Sequence, residues 1–231
     1  SYQWYENSSN NNFGGTPATG PGNQTDTYSP QNTVIGTLYY YCVITQTASG
    51  CEDTSATAEV KITQGPSFIL QPIGTTVCKD AIINALEVTY QDGVGQEYYQ
   101  WYENTVDDTT TGSIIPGETN STYTPPTNTV GTMYYYCQIR LPQGGCDPIV
   151  SIAAEITVEP DPIINVHPDP LQIICEGGTV NQLDVDYQFG TGNPSYQWHE
   201  NPGGTIIPGA TSDNYTPNTT SFTTGNYSYY C

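Results

Sequence analysis

The chain is 231 residues long and sets twenty-three Asp plus Glu against three Lys plus Arg, a formal charge of −20. Such a field repels phosphate backbones and anionic headgroups, which argues against nucleic acid or direct membrane-surface binding. Eighteen prolines and twenty-three glycines, with no long apolar pattern of helical period and no run of eighteen apolar residues, argue against a helical bundle and a transmembrane helix.

The chain opens on Tyr2-Gln3-Trp4-Tyr5-Glu6-Asn7. The phrase returns as Tyr99-Gln100-Trp101-Tyr102-Glu103-Asn104 and as Tyr196-Gln197-Trp198-His199-Glu200-Asn201, with tryptophans 97 residues apart (101 − 4, 198 − 101). A fixed period of this length marks one structural unit repeated end to end. After the tryptophan come Ile114-Ile115-Pro116-Gly117 and its counterpart from Ile206, then Tyr28-Ser29-Pro30, Tyr123-Thr124-Pro125 or Tyr215-Thr216-Pro217. Next stand Gly36-Thr37-Leu38-Tyr39-Tyr40-Tyr41-Cys42, its near copy from Gly131 to Cys137, and a looser version from Gly225 to Cys231. Two copies continue through Gly50-Cys51 and Gly145-Cys146 to Ser55 and Ser151. The expected repeats are 1–63 (partial), 66–158 (complete) and 163–231 (partial), and a full unit of about 97 residues is near the usual size of a domain.

Alternation places the strands of the middle copy in order. Leu86 and Val88 share a face after Asn84, Tyr99 and Trp101 share one on the next strand, and Tyr135, Cys137, Ile139 and Leu141 form a third inward row. Pro142-Gln143-Gly144-Gly145 is a turn, and Val150, Ile152, Ala154, Ile156 and Val158 form a fourth row. Short strands separated by turn signals predict an all-β fold, a two-sheet sandwich in each repeat. The junctions Thr63-Gln64-Gly65-Pro66 and Glu159-Pro160-Asp161-Pro162 restrict φ, so the repeats should form an extended array with a reach of about 40 Å per unit.

With a core Trp, a Tyr-x-Cys strand and a last strand ending Ala-Glu-Ile-Thr-Val, the unit resembles an immunoglobulin-like domain. Trp-to-Cys separations of 38, 36 and 33 residues (42 − 4, 137 − 101, 231 − 198) suit its C-to-F span. The resemblance places Trp4, Trp101 and Trp198 in the core, and Tyr40, Tyr135 and Tyr229 where a tyrosine corner would sit. It departs at strand B, where Val88 and Val185 stand in place of the inter-sheet cysteine. The nearest replacement pairs Cys78 with Cys137 and Cys175 with Cys231. Local pairs Cys42–Cys51 and Cys137–Cys146 are the rival. Three cysteines in a full unit leave at least one as a thiol or as a partner to another unit, in an oxidising, extracellular setting.

The wording Tyr-Gln-Trp-Tyr, Tyr-Thr-Pro-Pro, Gly-Thr-x-Tyr-Tyr-Tyr-Cys and Gly-Cys is similar to the tandem immunoglobulin-like repeats of giant cell-surface adhesins of gliding Bacteroidetes. That resemblance implies type IX secretion, display on the outer surface of the bacterium, transport by the gliding machinery and attachment to an extracellular polysaccharide or protein, with self-association into filaments as an option. The alternatives are a glycan-binding array and a non-catalytic appendage of a secreted enzyme.

Candidate sites are few. His167 and His199 stand where other copies have Gln71, Tyr5 and Tyr102, and no spacing of His or Cys suits zinc. No catalytic residue and no cofactor is assigned. Acidic side chains at a junction, Glu159, Asp161 and Asp169, are the candidates for calcium, although no dense ligand spacing supports them. Tyr5, Tyr39 and Tyr41, with Tyr102, Tyr134 and Tyr136, alternate away from the core residues and are read as an outward aromatic face. It would serve either a sugar or protein surface or simply cross-strand pairing. Asp108-Thr109-Thr110 resembles a Bacteroidetes O-glycosylation sequence and makes Thr109 a candidate for a sugar.

Overall fold

A computed structural model describes residues 1–31 and 33–231. The chain is nearly all-β, built as tandem immunoglobulin-like sandwiches, and no described helix is long and apolar enough to cross a membrane. Its first copy contains β1 (Tyr2–Asn7), β2 (Thr16–Pro17), β3 (Gly36–Thr45), β4 (Glu52–Thr54) and β5 (Ala58–Ile62). In the second are β6 (Ser67–Leu70), β7 (Thr75–Cys78), β8 (Leu86–Glu87), β9 (Thr89–Gln91), β10 (Tyr98–Asn104), β11 (Ser113–Ile114), β12 (Thr122–Tyr123), β13 (Gly131–Arg140), β14 (Ile149–Val150) and β15 (Ala154–Glu159). The third has β16 (Ile163–Val166), β17 (Leu183–Asp184), β18 (Asp186–Gln188), β19 (His199–Asn201), β20 (Thr205–Ile206), β21 (Asn214–Tyr215) and β22 (Ser228–Tyr230). Two compact units are drawn from these segments. One comprises Ser1–Leu70, Val88–Tyr99 and Gln138–Val150, the other Gln71–Glu87, Gln100–Cys137 and Ser151–Cys231.

The middle copy shows the sandwich most fully. One sheet runs β11-β10-β13-β15-β7, with β14 also on β13; β6 pairs with β9 and β8 with β12 in two further two-stranded sheets. The strand from Leu86 to Gln91 is interrupted at Val88, which is fully buried. β7 lies parallel to β15, Ile156 facing Thr75 and Glu159 facing Cys78. Leu86, Trp101, Tyr135, Cys137, Ile139, Leu141, Ala154, Ile156 and Val158 are all buried.

The expected inward row Val150–Val158 is broken. Val150 and Ile152 are exposed, and Ser151 is buried in their place. Gln138 faces Val150 and Tyr135 faces Ala154, so the register shifts by one residue between the two pairings, and a bulge flips the faces. The first copy repeats the shift, with Val43 facing Thr54 and Tyr40 facing Ala58. A serine bridges each bulge. Cys137 N–H donates to Ser151 Oγ and Cys42 N–H to Ser55 Oγ, both at 2.9 Å. Each serine hydroxyl then donates to the next carbonyl at 2.8 Å.

Candidate functional site

The repeated phrase builds one aromatic module three times. In each copy the indole N–H donates to a backbone carbonyl: Trp4 to Thr25 at 3.0 Å, Trp101 to Asn120 at 2.9 Å and Trp198 to Ser212 at 3.0 Å. The preceding glutamine braces the strand, its amide donating to the tryptophan carbonyl at 2.8 Å from Gln3 and 2.9 Å from Gln100 and Gln197. Gln100 and Gln197 also reach Ile115 and Ile207 at 2.9 Å.

A tyrosine from the Tyr-Ser/Thr-Pro phrase then lies between the tryptophan and the tyrosine two residues before the cysteine. Trp101 and Tyr123 have centroids 5.7 Å apart, and Tyr123 and Tyr135 5.4 Å. The sets Trp4–Tyr28–Tyr40 and Trp198–Tyr215–Tyr229 match within half an ångström, at 5.9 and 5.8 Å and at 5.8 and 5.7 Å. Tilted rings at this spacing are favourable aromatic contacts. Burial pushes the Tyr123 and Tyr229 hydroxyls from 10.0 up to about 12, with neighbouring tyrosines and glutamates adding to it. The sequence reading used Tyr28, Tyr123 and Tyr215 only as landmarks. Their constant place before proline was the signal that they pack against the tryptophan.

Trp101 and Trp198 are fully buried, whereas Trp4 and Tyr229 are only half-buried. In the middle copy Leu86 and Glu87 pair with Thr122 and Tyr123, and the third has the matching pair of Leu183–Asp184 with Asn214–Tyr215. No such pair accompanies Trp4 among the described residues.

The outward tyrosine face requires correction. Tyr41 and Tyr136 are each 3% exposed. Tyr5 stacks on Tyr41 at 5.3 Å and Tyr102 on Tyr136 at 5.0 Å, as expected of facing residues on paired strands. The loop after the phrase folds back over the stack. Gly15 N–H donates to the Tyr41 hydroxyl at 3.0 Å and Gly112 N–H to that of Tyr136 at 3.1 Å. A Cβ on Gly112 would sit 2.6 Å from the Tyr136 hydroxyl, so the close approach requires glycine. In the third copy His199 takes the same role, stacking on Tyr230 at 5.0 Å while its Nδ1–H donates to the Gly204 carbonyl at 3.0 Å. The signal was the glycine before each Thr or Ser at 15, 112 and 204. Tyr39 and Tyr134 remain half-exposed, the latter donating to Glu155 at 3.3 Å.

The proposed disulfides also require correction. No described cysteine is bridged. Cys78 faces Glu159, while Val158 faces Gly131, so Cys137 lies about seven residues, or about 20 Å, further along the sheet and two strands away. A disulfide needs Cα atoms within about 7 Å. For the local pairs, Cys51 accepts from Gln46 N–H at 2.8 Å while Cys42 accepts from Ser55, four residues beyond Cys51, at 2.9 Å. Cys137 accepts from Ser151 in the same way at 2.9 Å, five residues beyond Cys146. Cys175 instead accepts from Gly178 in a turn at 2.8 Å, and Cys231 packs against the Trp198 cluster. Burial pushes the Cys137 thiol from 9.0 up to about 12, although a backbone hydrogen bond from Gln100 acts against it.

Glu159, Asp161 and Asp169 form no group that could hold a metal ion among the described residues. His167 is exposed. Thr109 is half-buried in a tight loop around Asp108, whose carboxylate accepts from Thr110 N–H at 2.9 Å, from the Thr110 hydroxyl at 2.8 Å and from the Thr111 hydroxyl. These bonds hold the Asp108 carboxyl below its ordinary value.

A model of a domain of unknown function, DUF8696, matches residues 72–160, which fall on the middle copy. No curated protein matches the chain. Among solved structures, immunoglobulin domains 1–5 of Sidekick-1 are similar at 15% identity and a TM-score of 0.37, over 89% of this chain and 43% of that one. A second Sidekick-1 structure, of domains 1–4, aligns at 15% identity and a TM-score of 0.38, over 87% and 53%. Extracellular domains 3–5 of Drosophila OTK align at 17% identity and a TM-score of 0.34, over 76% and 55%. The chain thus spans about half the length of the solved structures it matches.

Proposed function

We propose that this chain is a structural and adhesive stretch of a large extracellular bacterial surface protein, in which the repeats 1–63, 66–158 and 163–231 act as spacers and attachment modules. The observation that carries this reading is the Trp–Tyr–Tyr module, built three times with ring spacings that agree within half an ångström. Side chains kept so alike from copy to copy serve a fold that is iterated, and iteration produces length. The sequence wording supports a gliding adhesin resembling SprB, exported by type IX secretion to the outer face of the cell, with a surface polysaccharide or protein as its partner. The role is non-catalytic.

Electron microscopy of the purified chain tests the spacer role. It should show beads spaced by about 40 Å, the span of a strand of about twelve residues. A single globule without beads would overturn it. Latex particles coated with the chain should adhere to the polysaccharide or protein surfaces that the parent cell colonises, and equal adhesion by uncoated particles would remove the adhesive half.

A further inference from the structure

The three cysteines of the middle copy occupy different settings. Cys137 is fully buried. Cys78 and Cys146 are partly accessible, and Cys78 lies beside the junction with the next copy. Cys78 ends β7 level with Glu159, where Lys79 N–H donates to the Glu159 carbonyl at 2.8 Å just before Pro160. Cys146 closes the turn after β13, and its thiol donates to the Gly144 carbonyl at 3.7 Å.

The Cys78 sulfur lies 3.6 Å from the Thr191 hydroxyl, in the loop after β18 of the next copy. One period earlier that position is Val94 (191 − 97). The two loops share a backbone: φ is 62° and 78° at Asp92 and Gly93, and 66° and 78° at Phe189 and Gly190. Each glycine N–H donates to the carbonyl of its incoming junction, Gly93 to Gln64 at 2.9 Å and Gly190 to Pro160 at 3.0 Å. What packs on Val94 therefore shows what would pack on the Thr191 position in a copy that carries the whole motif. It is the turn bearing Cys146: a Cβ on Gly144 would fall 1.8 Å from the Val94 carbonyl oxygen, and one on Gly95 3.0 Å from Gly144 N.

We propose that the cysteine at the Cys78 position of one repeat and the cysteine at the Cys146 position of the following repeat form a disulfide across the junction, while the Cys137 position remains a buried thiol. The Cys78 sulfur and the turn that carries the second cysteine both belong beside the same loop residue, and the pairing accounts for three cysteines per unit without any bridge inside one. It rests on the tandem-repeat reading above. The oxidant is a low-molecular-weight disulfide such as oxidised glutathione. The Cys78 thiolate attacks it and releases one glutathione thiolate, and the turn cysteine then attacks the mixed disulfide and releases the second. Two electrons pass from the cysteine sulfurs to glutathione, and the two cysteine protons end on its thiols.

Two variants of the full chain test this, each equilibrated with oxidised glutathione and mapped as peptides without reduction. Thr191→Cys should join Cys78 to the introduced thiol. In the second variant a copy of Gln138–Glu159 follows Cys231, giving the third repeat its own turn cysteine, and Cys78 should join that cysteine while Cys137 stays a thiol. The second map decides: a Cys78 that remains alkylatable, or that bridges elsewhere, overturns the proposal even if Thr191→Cys cross-links. Such a failure would leave the beaded images of the spacer role intact, so the two readings fail separately.

Discussion

At the residue scale, Cys137 is better understood as a buried apolar group than as half of a bridge. Its thiol sits at about 12 against an ordinary 9.0 because burial penalises the thiolate. Below about pH 9 the thiol is protonated in both the folded and unfolded chain, so its contribution to stability is complete there. Between about 9 and 12 the unfolded chain releases the proton and the folded chain does not, and stability falls as pH rises. Tyr123 and Tyr229, moved from 10.0 to about 12, add to the fall above about pH 10. Urea midpoints measured across this range should decline from about pH 9, and Cys137→Ala should delay the decline to about pH 10. A wild-type midpoint that stays flat up to pH 10 would contradict the burial of the thiol.

At the element scale, the loop before β11 is fastened by a contact that only glycine allows. A methyl at Gly112 meets the Tyr136 hydroxyl at 2.6 Å and the Glu103 carbonyl oxygen at 2.9 Å. Overfilling of this kind costs about 1–3 kcal/mol, so Gly112→Ala should lower the urea midpoint and free the loop from the sheet. Tyr136→Phe removes the obstructing oxygen, so the double variant should lose less than the sum of the single losses. Strict additivity would mean that the hydroxyl and the glycine do not meet. Much of this level was legible in the sequence. Period-two alternation found β10 and β13 because each carries a row of apolar residues turned to the core, and the recurrence of the Tyr-Gln-Trp phrase singled out Trp101. The tyrosine face was misjudged because alternation says which way Tyr136 points, and says nothing of a loop that returns over it. The row through Val150 and Ile152 was misjudged because one inserted residue at Ser151 reverses every side chain before it.

At the scale of the whole chain, the copies differ in how much core they hold, and that difference has a measurable consequence. The middle copy has both layers of its sandwich, with Trp101, Ile139, Leu141 and Ile156 each at 2% exposure or less. In the third, the buried cluster consists of Leu183, Val185 and Trp198, and Trp4 in the first is only half-buried. Because apolar burial stabilises by about 25 cal/mol per Å², the middle copy should be the most stable part. Residues 66–158 expressed alone should then unfold in one cooperative step, at a midpoint matching the last transition of the whole chain. The whole chain should unfold in more than one step, with the surroundings of Trp4 lost before those of Trp101, as followed by fluorescence of variants retaining one tryptophan. A single coincident transition for all three tryptophans would show that the copies depend on one another and would move the repeat boundaries proposed here.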